Sequence, residues 1–295
     1  MPMSNPAEPP PRRLAHLPGL RWLVVLLLAL ATLGGCTTLD QQQRRWIFQP
    51  VKQTWWAGSA AAQGMEDVWI EFDSRVDGER VRLHGLWAPQ DKADAPVLLY
   101  LHGARWDVTG SAARVRRMQD LGFAVLAIDY RGFGKSTDTL PSEHGAYEDA
   151  AQAWAWLARQ HPQRQRFLFG HSLGSAVAVH LASEVSDARG LIVEGAFTSI
   201  PDVYKTLRFG WLPLSGLITQ RFDAAARIER VRVPVLVVHG TEDRLIRPEL
   251  GRALFERAPA PKRFELVEGG SHHNTNAIGQ PQYRNALREL FGLSV

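Results

Sequence analysis

Gly170-His171-Ser172-Leu173-Gly174 sets a serine between two glycines, after the apolar run Arg166 to Phe169 and before a small-residue helical pattern of Ser175, Ala176, Val177, Ala178 and Leu181. A sharp strand-to-helix turn of this kind holds a serine in a strained backbone conformation, with its oxygen clear of the sheet and within reach of a base. A serine hydroxyl is a poor nucleophile at neutral pH, so Ser172 needs a base and the base needs a group to orient it. Two later strand ends offer both. Val235 to Val238 runs into His239-Gly240-Thr241-Glu242-Asp243, and Phe264 to Val267 runs into Glu268-Gly269-Gly270-Ser271-His272-His273-Asn274. Asp243 is expected as the orienting acid and His272 as the general base. Glu242, one residue nearer its strand, and His273, one farther along, compete for the two roles. Attack by Ser172 on a carbonyl puts negative charge on the substrate oxygen, which donors already aimed at it must meet. The backbone N–H of Leu173, at the positive end of its helix, is the first candidate. The second is the N–H of Ala104 in the turn His102-Gly103-Ala104, where Gly103 leaves room for the chain to bend inward.

These residues lie far apart in the chain, so a sheet must bring them to one place. Strand patterns occur at Val68 to Phe72 and Val81 to Trp87, separated by the turn signal Asp77-Gly78. A continuous apolar run suited to a strand covered on both faces follows at Val97 to Leu101, and further buried strands are expected at Ala124 to Ile128, Arg166 to Phe169, Leu191 to Val193, Val235 to Val238 and Phe264 to Val267. Helical patterns alternate with them at Ser111 to Leu121, Ala146 to Arg159, after Ser172, Glu249 to Arg257 and Gln282 to Phe291. The alternation predicts one α/β unit over 66–295, an eight-stranded mostly parallel sheet flanked by helices. Pro201 to Arg232, rich in Phe, Trp, Leu and Pro, falls between two strands and is expected as a short cap over one end of the sheet.

The amino terminus reads differently. Arg12, Arg13 and Arg21 precede an uncharged run from Trp22 to Gly35, short for a bilayer span and suited to the core of a secretory signal. Leu33-Gly34-Gly35-Cys36 resembles a bacterial lipobox, and Cys36 is the chain's one cysteine, so no disulfide competes for it. The expectation is a signal peptide over 1–35, lipid on Cys36 and a tether over 36–65. Thr37 after the cysteine implies an outer-membrane lipoprotein facing the periplasm. The tether's tryptophans, Trp46, Trp55 and Trp56, suit either the edge of a core or lipid headgroups.

Charge excludes some classes. The chain holds 34 basic and 30 acidic residues. Setting aside the three leading arginines and Glu8 leaves 31 against 29, a net +2 that gives no electrostatic footprint for nucleic acid. No two histidines show metal-ligand spacing, so no metal and no cofactor is expected. His102, His239 and His171 are read as residues that hold backbone or pack at the turns. Gly132-Phe133-Gly134-Lys135-Ser136 fails as a phosphate loop, because Asp129 stands where the first glycine is needed. Asp129-Tyr130-Arg131-Gly132 is expected to brace the active end of the sheet instead.

Taken together, His102-Gly103, Asp129 to Ser136, Gly170 to Gly174, His239 to Asp243 and Gly269 to His272 resemble the α/β-hydrolase superfamily. Within it they are similar to the monoacylglycerol-lipase and serine-aminopeptidase-like branch, which includes acyl-protein thioesterase-like enzymes. The likeness spans about Glu66 to Phe291. It implies the α/β-hydrolase fold and a serine hydrolase that cleaves an ester or thioester of a small or lipid-like acyl substrate through an acyl-enzyme. Thioesterase-like members usually carry Asn after the His-Gly pair, where this chain has Ala104, Arg105 and Trp106, which counts against the thioester. Two alternatives stand: a peptidase or amidase of the same fold, and an envelope lipoprotein that uses the fold to bind without catalysis.

Overall fold

The unbroken apolar run Val97-Leu98-Leu99-Tyr100-Leu101 forms β3, buried along its whole length (Val97–Leu101), because both of its faces are covered. The computed structural model describes residues 37–50 and 56–294; the expected signal over 1–35 and Cys36 lie outside them. Two units divide the chain, Met1–Leu39 and Asp40–Val295, and of the first only residues 37–39 are described, as helix.

β3 pairs in parallel with β4 (Ala124–Ile128) and with β5 (Arg166–His171). β6 (Ala188–Glu194), β7 (Val235–Gly240) and β8 (Lys262–Val267) continue the parallel run. β1 (Glu66–Asp73) and β2 (Arg80–Ala88) form an antiparallel hairpin through the Asp77-Gly78 turn, where Gly78 takes φ +77°. The result is an eight-stranded sheet in the order β1-β2-β4-β3-β5-β6-β7-β8, with β2 running against both of its neighbours. It is the mostly parallel sheet expected from the alternation of patterns.

Alternate strand residues face opposite ways, and helices cover both sides. Leu99, Leu101, Leu168, Val193 and Val237 share a core with Ala150 and Trp154 of α4 (Glu143–Gln160) and with Val177 and Leu181 of α5 (Leu173–Glu184). Leu98, Tyr100, Phe167, Phe169, Leu236 and Val238 share the other with Val115 and Met118 of α3 (Val108–Asp120) and Tyr283 and Leu287 of the helix Gln280–Phe291. Both α3 and α4 start about one turn before their apolar periods do. Asp107 caps α3 by accepting from the Gly110 N–H at 2.8 Å, and Ser142 caps α4 by accepting from the Gly145 N–H at 3.1 Å. A helix begins where its first free N–H groups find acceptors, and those residues carry no apolar signal.

The stretch expected as a tether holds two helices, α1 (37–48) and α2 (Trp56–Ala62). Phe48, at the end of α1, is wholly buried and meets Phe222 edge-on at 5.6 Å. Trp46 is 68% exposed. Between β6 and β7 the cap segment forms α6 (Ile200–Lys205), a 3-10 turn at Ser215–Leu217 and α7 (Ala224–Ile228). Among the described residues no helix is long and apolar enough to cross a membrane.

Strand register decides where function can sit. Leu101 stands opposite Gly170, His171 opposite Glu194, Glu194 opposite Val238, and Gly240 opposite Val267. The carboxyl ends of β3, β5, β6, β7 and β8 therefore form one rim, and the loops that leave it carry every residue singled out for chemistry. Arg131 braces the same end: its buried guanidinium donates to Asp149 at 2.7 and 3.0 Å, to Glu148 at 2.6 Å and to Asp77 at 3.1 Å.

Candidate active site

Ser172 joins β5 directly to α5, with φ +55° and ψ −122°. A non-glycine residue held there stores on the order of 1–3 kcal/mol, which the surrounding contacts must offset. Those contacts are close. A Cβ on Gly174 would come within 2.1 Å of the Leu101 carbonyl oxygen, and one on Gly170 within 2.3 Å of the Gly174 oxygen. Only glycine at both positions lets β3, β5 and α5 meet this tightly. The Ser172 N–H donates to the Glu194 carbonyl at 2.9 Å, and Ser175 Oγ donates to the Ser172 carbonyl at 2.6 Å.

The loop after β8 brings His272 to this turn. His272 Nε2 lies 2.9 Å from Ser172 Oγ, and its Nδ1 lies 2.7 Å from Asp243 Oδ2. With Asp243 ionised, the ring proton belongs on Nδ1, which leaves the Nε2 lone pair to accept from the serine O–H. Asp243 Oδ1 accepts from the N–H groups of Leu245 at 3.0 Å and Ile246 at 2.8 Å. Burial opposes its ionisation, but the imidazoles of His239 and His272, with the Ile246 N–H, outweigh it and hold the carboxyl well below the usual carboxylate range. Glu242 and His273, the competing neighbours, are exposed, whereas Asp243 and His272 are buried. His273 stacks on Trp106 with ring centroids 5.3 Å apart.

His171, His239 and His102 hold backbone, and the first two touch the site as they do so. His171, buried and pushed well below its ordinary range first by burial and then by the Arg114 charge, stays neutral. Its Nε2–H donates to the His272 carbonyl at 3.0 Å and so fixes the loop that carries His272. His239 Nε2 lies 2.9 Å from the Ile246 carbonyl and 3.4 Å from Asp243 Oδ2. His102 Nδ1 lies 2.6 Å from the Gly103 carbonyl.

Leu173 opens α5, so its N–H is one of the first-turn donors that lack an acceptor within the helix. The turn after β3 lies alongside: a Cβ on Gly103 would come 3.0 Å from Ser172 Cβ, which sets Ala104 beside the serine. Arg105, the next residue, takes φ +79°, and its N–H donates to the Phe48 carbonyl at 3.0 Å. The end of α1 thus pins the turn that presents Ala104. Nothing in the sequence pattern of residues 41–50 announces that task.

Sequence reasoning also missed a buried ion pair behind the serine. Glu194 ends β6; Arg114 Nε donates to its Oε1 at 3.0 Å, and the Tyr283 hydroxyl donates to its Oε2 at 2.5 Å. Arg114 also reaches the His273 carbonyl at 3.3 Å. Its signal was the position of an arginine on the face of α3 shared by Ser111, Val115 and Met118. Glu194→Gln leaves the Arg114 charge buried without its partner, so the variant should lose about 3–5 kcal/mol of stability. Urea unfolding would show this as a lower midpoint at unchanged slope.

Among the described residues no group of three or more His, Cys, Asp or Glu side chains is placed to hold a metal ion.

Comparison with known proteins adds what geometry alone does not. The family model described as serine aminopeptidase, S33, matches residues 92–228 and 214–276. An uncharacterized protein of Mycobacterium tuberculosis (strain CDC 1551 / Oshkosh) is 34% identical over 271 residues, covering 90% of this chain and 93% of its own. The lysophosphatidylserine lipase of Rattus norvegicus is 28% identical over 275 residues, covering 84% of this chain and 64% of the lipase. Among solved structures, the Pyrococcus furiosus esterase Pf2001 superposes with a TM-score of 0.65 at 20% identity, covering 83% of this chain and 97% of the esterase. That last likeness is one of fold.

Proposed function

Because the chain belongs to the serine aminopeptidase S33 family, hydrolases of the α/β type, we propose that it cleaves a carboxylic ester or thioester through an acyl-enzyme on Ser172. Ser172 Oγ attacks the acyl carbon while His272 Nε2 takes its proton. The oxyanion accepts hydrogen bonds from the N–H groups of Leu173 and Ala104, and His272 returns the proton to the leaving oxygen or sulfur. Water then attacks the acyl-enzyme by the same route in reverse, and the acid departs. Asp243 holds the imidazole in the tautomer that can accept. The observation that carries this reading is the position of one imidazole, 2.9 Å from the serine oxygen and 2.7 Å from a buried carboxylate.

The lysophosphatidylserine lipase relatives make a single-chain acyl ester the first substrate class to test. A series of acyl chains from acetyl to palmitoyl, each as matched ester, thioester and amide, separates the readings. Ester cleavage that accelerates with chain length is the expected result. Amides cleaved faster than esters would turn the assignment towards a peptidase, and no turnover in any series would favour a binding scaffold.

The envelope address is part of the same proposal. Cys36, after Leu33-Gly34-Gly35, carries lipid and holds the enzyme at a bacterial membrane, in the orientation that Thr37 suggests. Cys36→Ala should abolish incorporation of labelled palmitate in a bacterial host; undiminished labelling would refute the anchor.

A further inference from the structure

The segment between α6 and α7 carries a ridge that the hydrolytic mechanism does not use. Leu207, Phe209, Trp211, Leu214 and Leu217 are all exposed, Phe209 at 60% and Trp211 at 77%. Single exposed apolar residues are ordinary, but a run of large ones edged by charge marks an interaction surface. We propose that this ridge is a lipid-facing surface that seats the site-bearing rim of the domain on an anionic bilayer.

Charge identifies the occupant. Between Asp202 and Asp223 the chain holds Lys205, Arg208 and Arg221; Lys205 pairs with Asp202 at 2.9 Å, which leaves Arg208 and Arg221 as the cations of the ridge. The Arg208 guanidinium lies over the Phe209 ring, 5.6 Å from its centroid, so cation and aromatic are presented together. Tryptophan and phenylalanine beside arginine suit the headgroup layer of a bilayer, where the ring enters the apolar boundary and the cation meets phosphate. Each such cation near an anionic surface contributes attraction that an uncharged protein partner would not supply.

Where the chain enters the fold agrees with this. Gln43 Nε2 donates to the Leu217 carbonyl at 2.7 Å, and the Thr219 N–H donates to Gln43 Oε1 at 2.8 Å. Thr219 Oγ1 donates to Asp40 Oδ1 at 2.7 Å. α1, which adds exposed Arg45 and Trp46, is thereby fastened to one end of the ridge. On the other side Arg247 donates to the Thr206 carbonyl at 3.2 Å, and Arg247 belongs to the loop that carries Asp243. The excursion itself starts at Gly195, where a Cβ would stand 3.2 Å from His272 Nδ1. The segment that carries the ridge therefore begins at the rim that bears Ser172 and is tied to it again through Arg247. The surface assignment stands independently of the hydrolytic reading.

Fluorescence of the full chain on phosphatidylglycerol vesicles with brominated acyl chains tests it, because bromine quenches only tryptophans that reach the bilayer. Trp211→Phe, a conservative change at an exposed position, should remove a distinct quenched component present in the wild type. Arg208→Glu with Arg221→Glu should remove that component while far-UV circular dichroism stays unchanged. Quenching of the same extent in wild type and Trp211→Phe, or no quenching at all, would overturn the proposal. So would a concentration-dependent dimer in sedimentation that Trp211→Ser abolishes, since it would assign the ridge to a second copy of the chain.

Discussion

Ser172→Ala is expected to lower turnover of the best ester by about 10⁵- to 10⁶-fold while the protein stays folded. The size of the loss follows from the site's economy of parts: His272 Nε2 has Ser172 Oγ as its partner at 2.9 Å, and without that oxygen the proposed acyl-enzyme has no atom to form on. Stability should hardly change. Alanine meets the same steric cost as serine at φ +55°, and the turn is held by contacts of Gly170, Gly174 and the Ser172 backbone that alanine keeps. Labelling by a fluorophosphonate probe, followed alongside the thermal midpoint, checks both halves. A variant that still labels with an unchanged midpoint would move the nucleophile elsewhere.

Asp243→Asn should cost about 10⁴-fold in kcat, the second largest effect, again with little change in structure. The asparagine oxygen can still accept from the N–H groups of Leu245 and Ile246, as Asp243 Oδ1 does at 3.0 and 2.8 Å. Its amide nitrogen then faces His272 Nδ1 and donates to it. That hydrogen bond forces the ring proton onto Nε2, the atom 2.9 Å from Ser172 Oγ, which can no longer accept. The loss is expected to be smaller than for Ser172→Ala because the proposed nucleophile and the proposed N–H donors remain. Single-turnover measurement of acyl-enzyme formation separates this effect from slow product release. A fall of less than tenfold would mean that Asp243 does not set the tautomer.

Much of this protein is legible in local sequence. Short apolar runs such as Val97 to Leu101 suit strands covered on both faces, and the structure places a strand at every run so read; Phe264 to Val267 departs from the expected burial, because β8 is the sheet's edge, where Leu266 is exposed and only Val267 is buried. Gly170-His171-Ser172-Leu173-Gly174 specifies its turn locally, because the two glycines and the flanking strand and helix are neighbours in the chain. The starts of α3 and α4 were less legible: Asp107 and Ser142 act through oxygen atoms that hydrophobic period does not record.

Choices between adjacent residues belonged to the tertiary structure. Whether Asp243 or Glu242 faces His272 depends on the turn after β7, where the Glu242 N–H donates to the Gly270 carbonyl at 2.8 Å and ties that turn to the His272 loop. One step along such a loop sends a side chain to the opposite side, and composition cannot distinguish the two. The grip of α1 on Arg105 and the Glu194 to Arg114 pair are likewise products of long-range contact. Periodicity and turn chemistry are short-range properties that a linear pattern can encode. The direction of a loop side chain and the partner of a buried charge are settled only when distant strands fall into register.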